Sequence, residues 1–145
     1  MGDIGTTSGT PAAPATSRGR AANIVLWALQ VLLALVFAMA GLAKVGGDTA
    51  MAEMFATIGI GQWFRYVVGA LELAGAVGVL IPRLSGPAAL GLIGLMAGAA
   101  LTNALVLGAS PLLPIVLLLV SGLVAYGRRG RTRSLLSGVR ARLRS

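Results

Sequence analysis

"YVVGALELAGAVGVLIP", residues 66–82, is a glycine-rich run whose one charged residue is Glu72. A carboxylate inside an apolar segment of membrane length is costly, so it requires a partner, a proton or a function. Reading the stretch as a membrane helix decides the fold, because similar runs lie on both sides of it. Residues 24–43, "IVLWALQVLLALVFAMAGLA", carry no charge and have about the length that crosses ~30 Å of hydrocarbon. The second span covers 66–81 and ends in a proline- and glycine-rich turn at 82–87. A third, "AALGLIGLMAGAALTNALVLG", covers 88–108, and a fourth covers 111–126 with Pro111 in the tolerated first turn. The expected fold is all-α, an integral membrane four-helix bundle over residues 24–127.

Between the first two spans, residues 44–65 form the longest connection. Asp48 or Thr49 can cap a short helix there. Met51, Met54, Phe55 and Ile58 follow the i, i+3, i+4, i+7 spacing of one apolar stripe, with Glu53 and Thr57 on the other side. Such a helix is expected to lie in the interface plane. Gly59 and Gly61 end it, and Trp63 and Tyr66 occupy aromatic-belt positions.

Composition agrees with a membrane chain. Of 145 residues 57% are hydrophobic and 11% charged, against about a quarter charged in soluble domains. The net charge of +8 would point to nucleic acid in a soluble protein, but seven of the twelve basic residues follow Tyr126. No nucleic-acid partner is expected, since that segment has no aromatic residue for base stacking. Residues 1–23, rich in Gly, Ser, Thr, Ala and Pro, are expected to be a disordered cytoplasmic tail, and residues 128–145 a basic cytoplasmic tail. Arg18 and Arg20, an apolar run and "AMA" at 38–40 imitate a secretory signal. Leu42 and Ala43 continue the run, so retention as the first span is expected. With both ends inside, the inner side holds Arg18, Arg20, Arg83 and the seven tail arginines, and the outer side only Lys44 and Arg65.

Cysteine and histidine are both absent. Thiolate chemistry, disulfide exchange, histidine-held haem and the usual zinc and iron–sulfur sites are thereby excluded. No metal site is expected, and no cofactor beyond the quinone considered below.

The candidate polar site is Lys44, Arg65, Glu72 and Asn103. Glu72 lies six residues past Tyr66, roughly 9 Å below the outer end, and Asn103 five residues before Gly108, about 7.5 Å below the same side. Lys44 ends the first span there and can snorkel or reach inward. Arg65, two turns above Glu72, is placed to guard the entrance. Structurally, Glu72 pairs with Lys44 and Asn103 to lock the bundle. Functionally, the same residues form a small polar pocket in which Glu72 exchanges a proton or a headgroup such as a quinone carbonyl is held.

Helix association in lipid depends on close packing. Gly41, an Ala70–Ala74–Gly78 ridge and a Gly94–Gly98–Thr102 ridge are the expected packing surfaces. So close an arrangement leaves little volume for a cavity. In the tail, Arg128, Arg129, Arg131 and Arg133 are candidate contacts to lipid or a partner. A homo-oligomer is compatible with so small a bundle, although no residue demands one.

Three segments, "FAMAGLAK" at 37–44, "GALELAGAVGVLIP" at 69–82 and "MAGAALTNALVLG" at 96–108, resemble the DoxX-like family of small four-helix bacterial membrane proteins. The resemblance covers about residues 24–127. It implies a multi-pass protein of the bacterial inner (cytoplasmic) membrane, with the family's glutamate at Glu72. Family members often carry histidine after the threonine late in the third span, where this chain has Asn103, and asparagine does not relay protons near neutral pH as histidine does. The family name comes from a subunit associated with quinone-linked sulfur oxidation, and most members have no assigned activity. The resemblance thus implies the fold more than a function, and the absence of histidine and cysteine favours an accessory or scaffold subunit of a membrane complex. The alternative is a quinone-linked oxidoreductase component with a membrane redox partner and Glu72 as proton carrier.

Overall fold

The computed structural model describes residues 17–143, and all regular structure among them is helical. The first helix, α1 (Ser17–Gly46), has 30 residues and is therefore ~45 Å long, well beyond the ~30 Å hydrocarbon core. Residues 17–23 are its first turns. This corrects the expected tail boundary at 23: Arg20, Ala21 and Ala22 are good helix formers and extend the apolar run without a break. Residues 1–16 of that tail lie outside the described residues.

A short helix, α2 (Thr49–Ile58), follows. Asp48 caps it by accepting from the Met51 N–H at 3.2 Å, and Gly59 closes it in the left-handed region at φ 80°. Its stripe of Met51, Met54, Phe55 and Ile58 faces the bundle, while Glu53 and Thr57 are exposed. The next helix, α3 (Gln62–Leu80), begins four residues before the expected start at 66. Gln62 supports that extra turn by donating to the Ala52 carbonyl of α2 at 2.9 Å.

Helix α4 (Ser85–Thr102) runs directly into a π-helical turn, Asn103–Leu107. The four-residue connection 108–111 leads to α5 (Leu112–Gly127), and α6 (Arg129–Arg142) follows almost without interruption. Residues 128–142 of the basic tail are mostly helix. Three helical stretches, Gly19–Gly46, Gln62–Leu80 and Ser85–Leu107, are long and apolar enough to cross a membrane. The 16-residue α5 is apolar but shorter.

The most extensive contacts join α1 to α3 and α4 to α5, with α3 against α4 and α1 against α5 closing the ring. The shared core contains Leu33, Phe37, Ala76, Val79, Ala89, Leu92, Met96 and Val124. Glycines allow the tight approaches. A Cβ at Gly41 would stand 2.8 Å from both the Gly69 carbonyl oxygen and Leu73 Cγ, and one at Gly78 would stand 2.8 Å from Ala88 Cβ.

The expected packing ridges are redrawn by this arrangement. Gly41 and Gly78 lie at helix contacts, but Ala70 and Ala74 are exposed. A Cβ at Gly94 or Gly98 would meet nothing within 4 Å, and Thr102 spends its hydroxyl on the Gly98 carbonyl at 2.9 Å. The face of α4 carrying those three residues lines a cleft instead of a neighbouring helix. Every-fourth spacing identifies a smooth helix face, and it does not say what lies against that face.

Candidate functional site

The Gly41–Gly69 approach brings the end of α1 against α3 one turn above Glu72. A Cβ at Gly69 would stand 3.0 Å from Lys44 Cβ, so only a glycine there lets Lys44 lie flat against α3. Lys44 Nζ then reaches both carboxylate oxygens of Glu72, 3.0 Å from Oε1 and 2.9 Å from Oε2. The Glu72 side chain is 4% exposed and that of Lys44 13%. A lone charge at such a depth would be strongly disfavoured, and the pair stands because each group neutralises the other.

Arg65 and Asn103 have different roles from those expected. Arg65 is buried, donates from Nη1 to the Lys44 backbone carbonyl and from Nε to Gln62 Oε1 at 2.9 Å, and lies 4.4 Å over the Tyr66 ring. It ties the end of α1 to the start of α3, two turns above Glu72. Asn103 donates from Nδ2 to the Ser110 carbonyl at 3.0 Å, while its own carbonyl accepts from the Ala109 N–H at 2.9 Å and from the Gly108 N–H. Asn103 thus pins the π turn to the loop before α5 and does not join the ion pair.

Lys44, Glu72 and Asn103 nevertheless share one surface. They line a cleft of about 840 Å³ bounded by α1, α2, α3, α4 and α5. This corrects the expectation of a bundle with little internal space. Gly91, Gly94 and Gly98 of α4 line the cleft without side chains to fill it, and a Cβ at any of them would meet nothing within 4 Å. Met51, Met54, Phe55 and Ile58 of α2 cover one end of the cleft, steadied by the Phe55–Phe64 ring contact at 5.9 Å. The polar lining is gathered at the α2 end in Lys44, Glu72, Thr102, Asn103 and Ser110, and the remainder is aliphatic, aromatic, glycine or methionine.

A second polar set, not singled out as a site in the sequence, lies at the other end of the bundle. Gln30 is fully buried, donates to the Val79 carbonyl of α3 and accepts from Arg128 Nε at 2.8 Å. Arg128 also donates to Asn23 Oδ1 at 2.9 Å and lies 5.7 Å from the Trp27 ring centroid. Arg128, expected to contact lipid or a partner, is only 6% exposed and instead braces the α5–α6 junction against α1. Arg129 lies over Tyr126 at 4.2 Å and Arg133 is exposed. The Arg131 side chain lies outside the described ones. The signal in the sequence was Gln30, an amide in an otherwise apolar span, but its partner lies 98 residues away.

Among the described residues, no three of His, Cys, Asp and Glu converge as a metal site. The donor set at the cleft is one ammonium, one carboxylate, an amide and two hydroxyls. It can hold a polar headgroup by hydrogen bonding and can move a proton. In comparison with known proteins, the model of the DoxX-like family matches residues 28–124. No curated protein and no solved structure matches the chain.

Proposed function

The chain belongs to the DoxX-like family, and from that premise we propose that this multi-pass membrane protein is an accessory subunit that holds an amphiphile. The ligand would have an apolar body and an uncharged head bearing a carbonyl or hydroxyl group. One observation carries the reading: the Lys44–Glu72 pair stands on the wall of an otherwise apolar cleft of about 840 Å³. A pair serving only as a brace gains nothing from a cavity beside it. Here Lys44 has donors to offer a head, and Glu72 holds the ammonium in place.

Orientation follows from charge. We place both ends in the cytoplasm, with α5 as a fourth, thinner crossing and α2 at the outer interface. Arg83, Arg128, Arg129 and Arg133 then mark the inner side, as the excess of positive charge on cytoplasmic flanks requires. Helix α6, with Leu136, Val139 and Leu143 exposed on one side and exposed arginines beside them, would rest on the anionic inner leaflet. The inner membrane of a bacterium is the setting this implies.

A second reading gains support from the same geometry. A quinone carbonyl held by Lys44 would sit beside Glu72, whose carboxylate would first take up a proton from the outer side and then pass it to the quinone when a membrane redox partner supplies electrons. The test common to both readings is binding of long-chain methyl ketones to the purified full chain in nanodiscs, compared with alkanes of equal length. The expected result is a preference for the ketone of about tenfold, equivalent to ~1.4 kcal/mol, that disappears in Lys44→Met. Equal retention of ketone and alkane by the wild-type chain would remove the head site. A quinone analogue reduced only when Glu72 is intact would favour the second reading.

A further inference from the structure

We propose that the cleft opens sideways into the bilayer through the seam between α3 and α4, and that its ligand enters there from the surrounding lipid. The inference rests on the head-holding reading above and names the source of the ligand: an amphiphile already dissolved in the outer half of the membrane. The two helices meet closely toward the inner end. A Cβ at Gly78 would stand 2.8 Å from Ala88 Cβ, and one at Gly75 would stand 2.5 Å from Leu92 Cδ2. Further out the seam gapes. A Cβ at Gly91, Gly94 or Gly98 would meet nothing within 4 Å. On the other side, Leu71 and Ala74 share the face of α3 that carries Gly75 and Gly78. All five of these rim residues, Leu71, Ala74, Gly91, Gly94 and Gly98, are exposed and also line the cleft. Groove and cleft are thus one space along ~10 Å of α4.

The end that faces water is closed by contrast. Helix α2 touches both α3 and the π turn, and so bridges the two sides of the seam where they stand apart. It lays Met51, Met54, Phe55 and Ile58 over the cleft and is held to α3 by the Gln62–Ala52 hydrogen bond of 2.9 Å. At the depth of the rim the solvent is hydrocarbon, so the open groove is bathed in lipid chains. Drawing each methylene through water is costly, and the lateral route draws none through it. The polar lining of Lys44, Glu72, Thr102 and Asn103 lies at the α2 end. In the orientation proposed above, that is the side on which an amphiphile of the outer leaflet carries its head. Such a molecule reaches Lys44 by sliding sideways, without turning over. Since its chain gains little by leaving lipid for protein, the bond to the head is what retains it.

The test uses the full chain in nanodiscs and a long-chain methyl ketone carrying a photoreactive diazirine, flashed at successive times after the probe is added. Leu92 and Met96 are buried and line the cleft, so label there reports a probe inside it. The exposed Leu101 and Leu119, which do not line the cleft, report probe in the bulk lipid. The chain has no cysteine, so Ala52→Cys and Gln62→Cys, neighbours across the α2–α3 contact, can be joined by a short bifunctional maleimide. With α2 held down in this way before the probe is added, label at Leu92 and Met96 is expected to build up at the wild-type rate. Gly94→Trp, which puts a large side chain on the open rim, should slow it about tenfold and leave Leu101 and Leu119 labelled as before. If Gly94→Trp does not fold, Ala74→Trp makes the same test from the α3 rim. Interior label that is absent from the wild-type chain, is lost when α2 is held, or keeps its rate in each tryptophan variant that folds overturns the portal. So does a wild-type chain that pairs in the nanodisc and becomes single in Gly94→Trp, because the seam would then be an interface between copies. Interior label unchanged in Lys44→Met would overturn the head reading alone and leave the portal supported.

Discussion

The two ends of the bundle solve the same problem in different ways. At the α6 end, Gln30 and Arg128 are buried, and their bonds run to Asn23, the Val79 carbonyl and each other. At the α2 end, Lys44 and Glu72 satisfy one another and face a cleft. Both sets join α1 to a distant helix. The second lines a cleft of about 840 Å³, and that feature separates a site from a brace more clearly than burial or charge does.

The sharpest way to break the comparison is Arg128→Met. Removing a buried charged donor leaves Gln30 and Asn23 oxygens without it, and the expected loss is about 3 kcal/mol of stability. Thermal unfolding in detergent would show it, with ketone binding per folded molecule unchanged. Next comes Gly69→Val, which drives a side chain into Lys44 and Val45. Overpacking costs about 1–3 kcal/mol, and by opening the α1–α3 contact it should weaken ketone binding as well as stability.

A smaller change in stability with a large change in binding is expected from Lys44→Met combined with Glu72→Leu. Replacing a buried ion pair by apolar residues is often neutral, so stability should stay within about 1 kcal/mol of wild type while the preference for ketone over alkane is lost. A double variant that unfolds would make the α2 end a brace like the other. The smallest effect should come from Asn103→Ala, about 1 kcal/mol from one hydrogen bond. Hydrogen exchange should locate it at the Gly108–Ser110 amides, with the ion pair undisturbed.

Much of this was legible in the residues. The membrane helices, the Asp48 cap and the reach of Lys44 to Glu72 follow from hydropathy, local hydrogen bonding and depth. Depth did not reveal the partner of Asn103: it lines the same cleft as Lys44 and Glu72, but the chain passes into a π turn there and the side chain turns to the Ser110 carbonyl. The faces of α4 were not legible either. In lipid an outward face is as apolar as an inward one, so periodicity does not separate a packing ridge from the wall of a cavity. Arg128 was misread for a related reason: in a run of seven arginines, nothing local distinguishes the one that folds back to Gln30.

The π turn at Asn103–Leu107 also has a consequence for how the chain tolerates changes of length. A residue removed from Ala88–Thr102 would rotate everything after it by about 100°, carrying Asn103 off the cleft. A residue removed within the π turn can instead be absorbed by tightening it to ordinary α-helix. The five-residue turn is thus a register buffer, a place where this chain can lose a residue while the site and α5 keep their alignment.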